Sequence, residues 1–189
     1  SIGLGGDSCV RYVNEALAIG PDREGPAAAF GGFCPTPTDA MIVLGLTNIG
    51  DREKAVAAIK GIAERMRCPV EEAAQRIFNQ SCRIIVAQIK DVIEEINNQP
   101  VYTIHEMLEG KKLKPKALYV VGGPADPMAP HLGRLLNCPT FIPDHAEVAN
   151  AIGAALARTT AELTILADTE QKILTIAEEG YQTAIPARF

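Results

Sequence analysis

Two glycine pairs and two aspartates are the residues of this chain whose type and spacing could do chemistry. Across residues 118–136, LYVVGGPADPMAPHLGRLL, a strand-like apolar run passes straight into Gly122, Gly123 and Pro124 and then into a helix. Without Cβ atoms, two glycines at such a turn let a flat ring or a phosphate approach the backbone, although the same turn also serves merely as a tight connection. Near the start, SIGLGGDS places Gly5 and Gly6 before Asp7 and Ser8, and PTPTDA places Asp39 after Thr38. A carboxylate in either string could hold a hard cation or act as a general base. Each also has an ordinary reading, Asp7 as a turn former and Asp39 as a helix N-cap.

The remaining reactive side chains point less sharply. Cys9 and Cys34 lie in glycine-rich segments and could be nucleophiles, but no Cys/His arrangement accompanies them, and small core residues are the ordinary alternative. His131 falls one turn into the helix after the GGP turn, where it borders a nucleotide or simply sits at the surface. His105 and His145 have no partner at metal spacing. Arg11 and Arg23 could meet a phosphate or a substrate carboxylate, or be surface arginines. The five cysteines show no CxxC spacing, so neither a disulfide framework nor a protein metal cluster is expected.

Three kinds of pattern must position these groups. Residues 1–48 are rich in Gly, Pro and small residues, with a hairpin expected over residues 9–19 around Asn14-Glu15 and a helix expected from Asp39 through Leu46. Residues 49–112 read as a helical insert. One helix runs from Asp51 to near Cys68-Pro69, and a second follows with Val70, Ala73, Ala74, Ile77, Phe78, Ile85, Ile89, Val92, Ile93 and Ile96 as its apolar stripe. That second helix would be roughly 40 Å long, a length that suits a packed spine. A short helix over residues 103–109 completes the stretch.

Residues 113–189 return to α/β patterning: a strand at 117–121, the GGP turn, a helix at 127–137, a strand at 140–142 and a helix at 144–158. Asp144 and Glu147 have the spacing of a capping box, with Val148, Ile152, Ala155 and Leu156 on the face toward a sheet. Residues 161–177 read as a terminal hairpin.

Composition excludes several classes. A chain of 189 residues with 47% apolar residues can build a proper core. With 18 basic and 23 acidic residues the net charge is -5, and no basic run exceeds the lysines at 111, 112, 114 and 116, so a nucleic-acid surface is not expected. No apolar stretch reaches the roughly 20 residues of a membrane span, no leader opens the chain, and a cytoplasmic setting is expected. A start at Ser1 rather than methionine suggests a piece of a larger protein.

The turn and helix around residues 117–158, with PDHAEVANAIGAALA following the GGP turn, resemble the adenosine-binding end of actin, sugar kinase and heat-shock chaperone ATPases. SIGLGGDS at 1–8, AIGP at 18–21 and PTPTDAMIVLG at 35–45, in that order, resemble the hydantoinase/oxoprolinase family more closely. The match covers most of the chain, and DREGPAAAFGGFC at 22–34 departs from it, where the family has a serine-alanine-glycine run and a GPxCYG-like run.

The resemblance implies an actin-like ATPase (ribonuclease H-like) lobe of α/β class with a helical insert. It also implies ATP-dependent opening of a cyclic amide, hydantoin or 5-oxoproline, with ATP and Mg²⁺ as cofactors. Gly5, Gly6, Ser8, Gly122, Gly123 and Pro124 would border the nucleotide, and Asp7 and Asp39 would be the working carboxylates. The family's acidic, glycine-rich phosphate strings precede the point where this chain begins, and no D-x-G-G-T string occurs here. The expected partners are therefore an N-terminal lobe of the same protein and a small cyclic amide. Exposed apolar faces on the long helix, if present, would point to a homo-oligomer. Two other readings share these features: a sugar-kinase-like or activator ATPase, and a docking or assembly module without nucleotide binding.

Overall fold

The computed structural model describes residues 3–98, 112–158, 160 and 162–185. The helix expected at 103–109, with His105, lies outside the described residues. The class is mixed α/β with small sheets, and the chain divides into two units, residues 1–150 and 151–189.

The first unit opens with the expected hairpin: β1 (Val10–Val13) pairs antiparallel with β2 (Ala16–Ile19), Val10 opposite Ile19. Asn14 and Glu15 both take positive φ, the conformation that matches a two-residue loop to the twist of its strands. Helix α1 (Pro37–Val43) follows, every residue of it buried. It begins two residues earlier than expected because Thr36 is its N-cap. Asp39 sits three residues into the capping box, and its carboxylate accepts the Thr36 N–H at 2.9 Å.

Helix α2 (Arg52–Met66) starts at Asp51, whose carboxylate accepts the Glu53 and Lys54 N–H groups, and it stops at Arg67 in the left-handed region. Helix α3 (Val70–Asn97) runs 28 residues with Pro69 at its N-cap. Its buried residues all fall between Ala73 and Val86, and Val92 and Ile96 of the expected stripe are exposed.

These helices share their cores with the preceding segment. Ile59 and Ile62 of α2 and Ala73, Ala74 and Ile77 of α3 pack with Val10 and with Ala40, Ile42 and Val43 of α1. Met41, on the opposite side of α1, packs with Phe78, Cys82 and Val86 of α3 and with Met128 and Leu132 of the next helix. Each large apolar side chain buried this way contributes about 1.5–3 kcal/mol, so α1 is held from two sides.

The GGP turn stands in a β-α-β unit. Strand β3 (Leu118–Tyr119) and strand β4 (Thr140–Phe141) are parallel, with helix α4 (Ala125–Leu136) between them. Only two residues of each strand pair, and the Tyr119 and Phe141 rings stack at 5.4 Å. After β4 the chain makes a 3₁₀ turn (Ala146–Val148) and then helix α5 (Ala149–Leu156). The Asp144–Glu147 capping box is not formed. His145, in the left-handed region, precedes the 3₁₀ turn, which has no side-chain cap, so Asp144 stands outside the helical start. The face expected to meet a sheet is exposed at Val148, Ile152 and Leu156.

The second unit holds a three-stranded antiparallel sheet, β5 (Ile165–Asp168), β6 (Ile173–Ile176) and β7 (Tyr181–Ala184). The expected hairpin is present, closed by Asp168, which accepts the Glu170 and Gln171 N–H groups. Its third strand is an addition to the sequence reading. Among the described residues no helix is long and apolar enough to cross a membrane.

Candidate functional site

Residues from the two glycine segments meet. A cavity of about 110 Å³ is lined by Leu4, Gly5 and Gly6, by Pro37 and Met41 of α1, by Ser81 and Ile85 of α3, and by Pro124 and Met128 at the start of α4. Gly122 and Gly123 stand just before this wall, in the turn that Pro124 closes. Hydrogen bonds set that turn: the Gly122 N–H donates to the Ala146 carbonyl at 2.7 Å, and the Ala125 N–H to the Gly122 carbonyl at 3.0 Å. Gly122 has φ +104, a value that excludes most L side chains.

The first glycine turn is held by its neighbours. Ser8 is fully buried, and its Oγ accepts the Gly5 N–H at 2.8 Å. Thr38 donates to the Gly6 carbonyl twice, from its N–H at 3.1 Å and from its Oγ1 at 2.9 Å. Ser8 thus closes the turn from inside, leaving the Gly5 and Gly6 backbone as its face toward the cavity. Asp7 is exposed in the same turn.

Asp39 occupies a different environment. It is 0% exposed, and its carboxylate accepts four hydrogen bonds: from Ala28 N–H (3.1 Å), Ala29 N–H (2.8 Å), Thr36 N–H (2.9 Å) and Thr36 Oγ1 (2.8 Å). Each such bond to an ionised acceptor is among the stronger kinds. Together they anchor the 3₁₀ turn Ala28–Phe30 to α1.

The walls are apolar apart from Ser81, whose Oγ donates to the Ile77 carbonyl at 2.9 Å and keeps lone pairs for an incoming N–H. No lining residue is charged. The cavity is smaller than the roughly 300–1,000 Å³ typical of small-molecule sites. Apolar walls beside a glycine turn suit the adenine and ribose side of a nucleotide or a small uncharged ring. They supply no ligand for a triphosphate or its Mg²⁺. A larger groove of about 360 Å³ between the hairpin and α2–α3 involves Tyr12, Arg76 and Arg83 and none of the candidate residues.

His131 is taken up by packing. Its ring meets Phe78 edge-on at 5.2 Å, and burial, with Arg134 and Arg83 nearby, holds its pKa below the ordinary value. His145 is exposed, and Arg11 pairs with Asp22 at 2.5 Å and Glu24 at 2.7 Å.

One convergence was not readable beforehand: the ligand atoms of Cys9, Glu24 and Cys34 lie within 4.8 Å of one another. The Cys34 thiol is pushed up to about 12, first by burial and then by Cys9, so it is held protonated and is a poor nucleophile. No local spacing announces this cluster, because backbone bonds between distant segments create it.

No curated protein matches the chain. The family model described as hydantoinase/oxoprolinase matches residues 1–163, from the first glycine turn through the β-α-β unit and α5.

Proposed function

The chain belongs to the hydantoinase/oxoprolinase family, whose members include ATP-dependent cyclic amide hydrolases, and we propose that it supplies the adenosine side of the nucleotide site in such an enzyme. The observation that carries this reading is the shared cavity: Gly5 and Gly6 from one string and Pro124 from the other line one space despite their separation in sequence. The lobe would be of actin-like type, and its phosphate-binding and catalytic partners would come from residues outside this chain.

ATP, when bound, supplies the phosphoryl group that makes a stable ring amide open to hydrolysis. This chain's residues have simpler tasks. Gly123 and Pro124 admit the flat base and ribose, Met41, Ile85 and Met128 exclude water from one side, and Ser81 is placed to accept an N–H. Asp7, exposed at the tip of the turn, is the carboxylate free to order a water or a cation at the reacting end. Asp39 then serves by fixing the turn beneath it.

The test is ATP-dependent opening of hydantoin and 5-oxoproline by the full-length protein. Asp7→Asn is expected to lower turnover on the order of 10²-fold or more while ATP still binds. Unchanged turnover in Asp7→Asn would remove Asp7 from the reaction. The 189-residue chain alone is expected to turn over neither ATP nor the ring, and measurable turnover by it would refute the need for a second lobe.

A further inference from the structure

We propose that Cys9, Glu24 and Cys34 form a binding site for one thiophilic divalent cation of the Zn²⁺ class, apart from the cavity at the glycine turn. Their three ligand atoms already lie within 4.8 Å of one another. A tetrahedral zinc, with bonds of about 2.3 Å to sulfur and about 2.0–2.2 Å to oxygen, needs its ligand atoms closer than 4 Å, a small contraction from that arrangement.

The site is built by backbone rather than by the side chains themselves. The Cys9 N–H donates to the Asp22 carbonyl at 2.9 Å, and the Cys9 carbonyl accepts the Gly20 N–H at 3.0 Å. On the next residue, the Val10 N–H donates to the Pro35 carbonyl at 2.8 Å. These bonds hold the segment carrying Glu24 on one side of Cys9 and the segment carrying Cys34 on the other. The ligands are therefore gathered before a cation arrives, which reduces the entropy lost on binding.

Ligand chemistry sets the choice of ion. On binding, the cation displaces the Cys9 and Cys34 thiol protons to solvent, and the two thiolates and one carboxylate that result suit Zn²⁺ and disfavour Mg²⁺ and Ca²⁺, which take oxygen ligands. Three protein ligands leave the fourth position open. Cys34 and Glu24 line a surface groove of about 440 Å³ with Arg11, Phe33 and Arg65, which gives water and the cation a route in. Arg11 donates to Glu24 Oε1 at 2.7 Å, leaving Oε2 for the cation and orienting the carboxylate, as partners of metal ligands commonly do. A bound ion would tie the glycine turn to the segment that leads into α1, stiffening the loop below the proposed nucleotide cavity.

The experiment titrates Co²⁺, then Zn²⁺, into the full chain after reduction and chelator treatment, following absorption. One equivalent of Co²⁺ is expected, with thiolate-to-cobalt charge-transfer absorption that Zn²⁺ abolishes by displacement. Cys34→Ala is expected to remove that absorption. Glu24→Gln, a surface change with no effect on the circular dichroism spectrum, is expected to keep it and to weaken affinity at least as much as the loss of an outer-shell partner does, about 10–100-fold. Reduced protein that takes up no stoichiometric metal would overturn the proposal, as would a thiolate band of full strength in Cys34→Ala.

Discussion

The two glycine segments look alike in sequence and differ in what fills the space beside them. In the first, a Cβ on Gly3 would fall 2.6 Å from the Pro21 Cβ, one on Gly6 would fall 2.7 Å from Thr38 Oγ1, and one on Gly20 would fall 2.5 Å from the Gly3 carbonyl. In the second, a Cβ on Gly123 would meet nothing within 4 Å, and one on Gly122 only Pro124 Cδ at 3.8 Å. The first segment needs glycine because its own chain packs there. The second leaves open space that its own chain does not use, which is the condition for a ligand to come close. A glycine pair in a sequence cannot distinguish the two, since both reasons delete the same atom.

The sharpest break between the segments is expected at Asp39, the anchor of the packed one. Asp39→Ala strands the Ala28, Ala29 and Thr36 donors in a buried place and should cost about 3–5 kcal/mol by urea unfolding. A loss under about 1 kcal/mol would mean the loop is held some other way. Next comes Gly6→Ala, which forces Thr38 aside and disturbs both of its bonds to the Gly6 carbonyl. It should cost about 1–3 kcal/mol in the same assay. Gly123→Ala is the contrasting case: stability should stay level or rise by up to about 1 kcal/mol through a less flexible unfolded chain. A cost as large as that of Gly6→Ala would erase the distinction between the segments.

The smallest effect concerns His131 between α3 and α4. Its folded pKa lies below the ordinary 6.5, chiefly from burial, so the neutral ring is the form that packs against Phe78. Its contribution is present above pH 6.5 and is lost as pH falls through the lowered folded pKa. Melting temperature should therefore decline more steeply on acidification in the parent than in His131→Gln. Parallel declines would show that the ring's protonation is not coupled to this packing.

What the sequence disclosed follows from how local each cause is. The hairpin at Asn14-Glu15, helices α2 and α3, and the strand-turn-helix-strand order around Gly122 were legible, because periodicity and turn residues act over a few positions. The capping box at Asp144 was not, since His145 takes a left-handed conformation between it and the 3₁₀ turn. Strand β7 was hidden because Tyr181–Ala184 is exposed throughout and shows no apolar alternation. The depth of burial on α3 depends on α1 and α4 packing against it, so the exposed Val92 and Ile96 could not be told from Ile77 by spacing.

The site divides the same way. The two strings that border the cavity were readable as motifs, while Ser81, Ile85, Met41 and Met128 reach it only through the packing of three helices. Asp39 was readable as a residue of the helix start, but its hold on Ala28 and Ala29 is a tertiary contact. The meeting of Cys9, Glu24 and Cys34 likewise arises from loop-to-loop backbone bonds that no spacing rule encodes.

The central claim is that the open turn at Gly123 is where adenosine sits, and calorimetric titration of ATP with Mg²⁺ into the full-length protein, beside Gly123→Val, tests it most directly. Gly123 is the better position for this than Gly122, whose positive φ would strain any valine and confuse binding with folding. The account predicts binding to the parent that disappears in Gly123→Val while the melting temperature is unchanged; ATP binding of equal affinity in the variant would contradict it.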